Sequence, residues 1–224
     1  MESIKRIEHT MKKLLLAVAT TSLLTLSGCQ TAYYSAMESV GVHKRDILID
    51  RVEEAKESQQ DSQEEFQSAY ERLTTLINFD GGELQKVYDQ LNDDYLASKK
   101  SAEDVSSKIK AVEDVAEALF DEWEEELEQY SNAKLKRDSQ KKLSATKRQF
   151  EQLLRSMRRS ESKMEPVLTA LNDNVLYLKH NLNAQAIAAI KGEFSTLKRD
   201  IKTLMNEMNK SIADSNKFIA QMNK

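Results

Sequence analysis

Few residues in this chain are of the kind that do chemistry. There is one cysteine, Cys29, one tryptophan and three histidines in 224 residues. A thiolate can attack a carbonyl or hold a metal, but the first task needs a base within reach and the second needs further ligands. Cys29 stands in LTLSGCQTAYYSAM, Leu24 to Met37, which holds no histidine, carboxylate, lysine or arginine. His43 and His180 read as polar surface or capping groups, one in a connecting stretch and the other near an expected turn. Trp123 falls on an apolar seam and reads as core. The carboxylates follow the solvent faces of helices. There is no P-loop, no dinucleotide-type glycine pattern and no His-Glu-x-x-His. A lone cysteine also excludes an internal disulfide framework and a multi-cysteine zinc site. The expectation is therefore a protein that is not an enzyme, with no catalytic residue, no metal and no cofactor.

The surroundings of Cys29 suggest a different use for it. Lys5, Arg6, Lys12 and Lys13 precede the apolar run LLLAVATTSLLTL, Leu14 to Leu26, and Ser27 and Gly28 follow. A basic segment, an apolar segment and small residues before a break make a secretory signal. As a helix the apolar run would span about 20 Å, short of the roughly 30 Å hydrocarbon core, which favours a cleaved signal over a permanent span. A start at Met11 in place of Met1 would leave a compact signal of the same kind. The four residues LSGC resemble the lipobox of bacterial lipoproteins. That resemblance implies cleavage between Gly28 and Cys29 and acylation of Cys29. It also implies, from Gln30 rather than Asp after the cysteine, the periplasmic face of the outer membrane. Two or more acyl chains anchor stably where one does not.

Beyond the signal, residues 1–28, the chain reads as a tether over 29–44 and a helical domain over 45–224. Tyr33 and Tyr34 suit either a membrane interface or packing on the first helix. Proline occurs once and glycine five times, while 31% of residues are charged, the composition of long helices. From Arg45, Leu48, Val52, Ala55, Gln59, Ser62, Phe66, Ala69, Leu73 and Leu76 follow in steps of three and four and lay one seam along a helix. FDGG, Phe79 to Gly82, ends it. A second helix starts near Glu83 and runs toward Leu127, unbroken or bent at SAED near Ser101. Near Ser131 and Asn132 the pattern fits a turn or a continuous helix. The seam resumes with Leu135, Leu143, Phe150, Leu153 and Met157. Pro166 then marks a kink or the first turn of a new helix. Asn183 caps a last helix in which Gly192 is expected to allow close packing. Amphipathic helices of this kind must cover one another. The expected fold is all-α: an elongated antiparallel bundle of three or four long helices with coiled-coil-like seams and no strands.

Charge is distributed in blocks. Glu113 to Glu128 holds nine acidic residues and no basic one, and Lys134 to Arg159 holds ten basic and two acidic. Such blocks read as solvated faces or as electrostatic partners, within one chain if it turns at Ser131 or between two chains if it does not. Lys141, Lys142, Arg148, Arg155, Arg158 and Arg159 form a candidate surface for an anionic partner, an envelope protein or anionic lipid. A homo-oligomer is a further option. Nucleic acid is not an expected partner of an exported lipoprotein.

The segments YYSAMESVGVHKRDILIDRVEEAKESQQ, EDVAEALFDEWEEELEQYSN, MRRSESKMEPVL and VLYLKHNLNAQAI resemble a family of uncharacterised proteobacterial lipoproteins carrying a domain of unknown function. The resemblance implies an envelope location and helical structure and transfers no activity. Two functions fit. One is a non-enzymatic structural, scaffold or interaction protein of the envelope, anchored in the outer membrane. The alternative is a chaperone-like or lipid- or anion-binding bundle, which a continuous groove would favour and a filled seam would not.

Overall fold

The computed structural model describes residues 33, 34, 37, 39, 41–79, 81 and 83–223. Gly28, Cys29 and the signal lie outside the described residues. The chain divides into two compact units, Met1–Asp46 and Ile47–Lys224. In the first, Tyr33, Tyr34, Met37 and Ser39 have helical backbone. The Tyr33 and Tyr34 rings meet edge to face at 5.5 Å. Lys44 Nζ sits 5.8 Å from the centre of the Tyr34 ring. Tyr34 is buried and Tyr33 is exposed. The Val42 N–H donates to the Met37 carbonyl at 3.0 Å. The turn between them uses Gly41 at φ +85°, a conformation that favours glycine.

The second unit is an antiparallel helical bundle. Five helices are described: α1 Lys44–Ile77, α2 Leu84–Leu127, α3 Ala133–Glu161, α4 Met164–His180 and α5 Ala184–Met222. No strand occurs among the described residues. All nine α1 seam residues named above are buried, Gln59 and Ser62 included. The heptad spacing puts them on one face, and that face is closed by the other helices. Gly81, at φ +147°, stands between α1 and α2 and lets the chain reverse.

Helix α2 has 44 residues and so runs about 66 Å. It passes through Ser101 without a break. The carboxylate that SAED would need for capping is used elsewhere: Asp104 accepts a hydrogen bond from Ser58 of α1 at 2.6 Å. Ser98, one turn earlier, is buried, with its hydroxyl 2.8 Å from Asp94 O of its own helix and 3.2 Å from Glu65 O of α1. Packing on α1 therefore overrides the local start signal.

The chain turns between Leu127 and Ala133. Asn132 fixes the turn, its side chain accepting from Lys134 N–H at 2.9 Å and Leu135 N–H at 3.2 Å, two of the donors that a helix start leaves free. Leu135 was expected on the seam but is 53% exposed. It lies in the first turn of α3, level with the end of α2, where neighbouring helices have run out. Helices α3 and α4 form one interrupted rod. Ser162 and Lys163 both keep right-handed helical backbone, and both α3 and α4 pack on α2 and α5. Pro166 is the third residue of α4, within its first turn, where a missing N–H removes no intrahelical bond.

Asn183 caps α5, accepting from Ala186 N–H at 3.0 Å. Gly192 does not mediate close packing. It is exposed, and a Cβ built there meets nothing within 4 Å. The apolar positions on either side of it, Ile190 and Leu197, point to the core, which leaves position 192 on the outside. Trp123 is only half-buried. Its indole N–H donates to Ser139 of α3 at 2.8 Å, so it ties two helices at their shared edge.

The four rods alternate in direction. Arg72 of α1 reaches Asp94 of α2 at 3.1 Å, and Glu54, further back on α1, meets Lys108, further on along α2, at 3.0 Å. Phe150 of α3 meets Phe218 of α5 at 6.1 Å, and Tyr70 of α1 stacks on Phe194 of α5 at 5.5 Å. The rods thus close a ring: α1, α2, α3 with α4, and α5. The buried residues include Gln59, Ser62, Ser156, Ser160, Ser211 and Ser215, from α1, α3 and α5. Gln59 donates to Ser160 Oγ at 2.8 Å. Gln59 Oε1 and the hydroxyls of Ser62, Ser156 and Ser211 have no hydrogen-bond partner among the described residues.

Candidate anion-binding face

The two charge blocks lie side by side in one chain, as the turn at Asn132 requires. Lys136 pairs with Glu128 at 3.0 Å and Lys147 with Glu124 at 2.6 Å. Arg158 bonds Glu113 of α2, with one contact at 3.2 Å, and Glu161 of its own helix at 2.8 Å. The Glu113 carboxylate, helped by Glu161 and opposed by partial burial, raises the pKa of the Arg158 guanidinium. These three cations belong to the α2–α3 seam.

The other α3 cations face outward. At 100° per residue, Lys134, Arg137, Lys141, Arg148, Arg155 and Arg159 fall within an arc of about 60° and along about 38 Å of helix. All six are exposed. Arg155 lies 3.6 Å from Glu151 on the same helix, and the other five have no ion-pair partner among the described residues. The buried positions Leu143, Phe150, Leu153 and Met157 occupy the opposite side of the helix. The hydrophobic face that builds the core thereby aims the cationic face at solvent.

Of the residues expected from sequence, Lys141, Arg148, Arg155 and Arg159 share this stripe. Lys142 is exposed but turned about 100° away from Lys141, and Arg158 is engaged with α2. Lys134 and Arg137 complete the stripe. Their spacing of three and four before Lys141 was the signal that could have included them. The groove between α3 and α5 is rimmed by Gln149, Gln152, Asp214, Lys217 and Gln221 beside Leu153 and Phe218, so α5 adds polar side chains next to the stripe.

The charge is divided across the bundle. Helix α3 has ten basic and three acidic residues, and α5 has six and four. Helix α1 has nine acidic and five basic residues, and α2 thirteen and five. The α3–α5 side is the one that can attract an anionic surface.

Elsewhere, an open groove between α4 and α5 is lined by Ala170, Tyr177, Ala189, Ile190 and Leu197, with Asp173 and Glu193 among the same lining residues. His43 and His180 are both exposed. No group of three or more histidine, cysteine or acidic side chains is placed to hold a metal among the described residues. No described helix is long and apolar enough to cross a membrane.

No curated protein and no solved structure matches this chain. A family model does, over residues 33–222, which takes in the two tyrosines and all five helices. The chain belongs to the family described as Protein of unknown function (DUF2959).

Proposed function

We propose that this protein is a lipoprotein of the cell envelope, held through acyl chains on Cys29 at the periplasmic face of the outer membrane. There it acts as a non-enzymatic structural, scaffold or interaction protein. The location is carried by the LSGC motif at 26–29 after a basic and apolar leader, since a signal of that form ending in a lone cysteine suits lipid attachment. The mode of action is carried by one observation. The apolar seam of α1 is buried from end to end by its own bundle, so this seam leaves no apolar trough for a client chain or an acyl tail. The groove between α4 and α5 is short and has carboxylates among its lining residues, which makes it the weaker basis for a lipid carrier. What the bundle offers to partners is its length and its charged faces.

Fractionation of cells making the full chain tests the anchor. The wild-type chain is expected with the outer membrane. The Cys29→Ser chain is expected to lose that position and to retain its signal. Equal distribution of the two would overturn the reading.

A further inference from the structure

We propose that the outward stripe of α3 is a docking site for the headgroup phosphates of an anionic phospholipid surface, so that the bundle lies with its α3–α5 side along the leaflet. The proposal rests on the envelope reading only in taking a bilayer as the surface at hand. The stripe itself is read from the bundle.

Three features of the stripe select this occupant. The first is charge. Six exposed cations share one face, five of them without an ion-pair partner among the described residues, on the side of the bundle where basic residues outnumber acidic ones. Lysine and arginine near an anionic leaflet each add attraction, and arginine can grip phosphate through two donors. The second is composition. The residues between the cations on or beside the same face are Ser144, Ala145 and Gln152. Protein interfaces draw most of their energy from buried aromatic and aliphatic anchors, and the stripe has none. A row of mobile phosphates asks for no shape complementarity and no anchor. The third is continuity. Helix α3 is unbroken over the whole stripe, so all six cations share one helix face. A second copy of the chain is the competing occupant. Its α1–α2 side is acidic, but the stripe offers a protein partner no aromatic or aliphatic anchor, and the test below separates the two occupants.

A site-directed probe tests this in the full chain carrying Cys29→Ser, which removes the acyl anchor and leaves a single introduced cysteine to label. One version carries a fluorophore at Gln152→Cys, on the stripe. A second carries it at Asp61→Cys, exposed on α1. Each is mixed with vesicles of phosphatidylethanolamine with or without phosphatidylglycerol, doped with a headgroup quencher. The expected result is quenching of the residue-152 probe on the anionic vesicles alone, with the residue-61 probe unaffected. Roughly 0.5 M salt should abolish it, since the Debye length falls to a few ångströms. Neutralising Lys141, Arg148, Arg155 and Arg159 to Gln should weaken binding by about tenfold or more, and the Glu version should weaken it further. Circular dichroism of both variants confirms that the helices persist. Equal quenching of both probes, or binding indifferent to the four substitutions, would overturn the proposal, because vesicle association would then come from the leader. Salt-sensitive self-association without vesicles, lost in the Gln variant while vesicle binding persists, would also overturn it and place a second copy on the stripe. None of these results depends on lipid at Cys29, so failure here leaves the anchor reading standing.

Discussion

Gln59 of α1 donates to Ser160 of α3 at 2.8 Å, both side chains wholly buried and 101 residues apart. The Ser160 hydroxyl in turn donates to Met157 O of its own helix at 2.7 Å. The pair crosses the bundle between two helices that run in the same direction. A polar residue on an otherwise apolar seam lowers stability and holds register. Here it does so with Gln59 Oε1 unpartnered among the described residues. Gln59→Met keeps the volume and removes the orphaned acceptor, and should leave stability unchanged or raise it by up to about 1 kcal/mol. Gln59→Ala opens a cavity and should lower it by about 2–3 kcal/mol. Urea unfolding of both variants checks this. A large loss in the Met variant would show that the hydrogen bond itself holds the bundle together.

Arg158 and Glu113 are the most connected of the pairs that join the acidic and basic blocks. The Arg158 side chain is 37% exposed, so solvent screening keeps the interaction modest. A double-mutant cycle with Arg158→Ala and Glu113→Ala should yield a coupling of about 0.5–1 kcal/mol that shrinks with added salt. Lys141→Ala and Arg148→Ala on the outward stripe should change stability by less than about 0.5 kcal/mol. That contrast separates cations that fasten helices from cations that face outward.

Glu54 supplies a pH signature. A hydrogen bond from Lys108, with further help from Arg51, holds its carboxyl below the ordinary value of 4.5, although partial burial works the other way. Because the folded state lowers the pKa, the stabilisation is fully present above the unfolded value and is lost as pH falls through the folded one. The wild type should exceed Glu54→Gln in urea midpoint at neutral pH by less than about 1 kcal/mol in stability. The gap should close as the pH drops below about 4. A gap that widened in acid would reverse the assigned sign.

Asn132 decides that α2 and α3 form a hairpin. Its side chain serves two backbone donors. Asn132→Ala should lower stability by about 1 kcal/mol, and Asn132→Asp should retain most of it, because Asp caps as well and suits a helix N-terminus. Thermal unfolding followed by circular dichroism would register the difference.

Helix positions were legible where apolar spacing was long and regular. The α1 seam from Leu48 to Leu76 is buried as its three-and-four rhythm predicts, and Asn183 caps as its place before an apolar run predicts. Expectations failed where a local signal competed with packing that lies far away in sequence. SAED reads as a helix start, but Asp104 is committed to Ser58, a contact made only after folding. Gly192 reads as a close-packing residue because composition does not say which way a helix faces at one position. Leu135 reads as seam because periodicity does not reveal where neighbouring helices end. The same limit shaped the cationic surface. Counting charges located it on α3, but dividing the cations between the α2 seam and solvent needed the orientation of the helix. Lys142 and Arg158 therefore left the candidate set, and Lys134 and Arg137 joined it.

The central claim is that Cys29 is the lipid-bearing first residue of the mature chain. Intact-mass and N-terminal peptide mass spectrometry of the protein extracted from membranes tests it most directly. The account predicts a chain that begins at Cys29, with the mass of attached acyl groups on that residue. A mature chain that begins elsewhere, or a Cys29 without acyl mass, would contradict it.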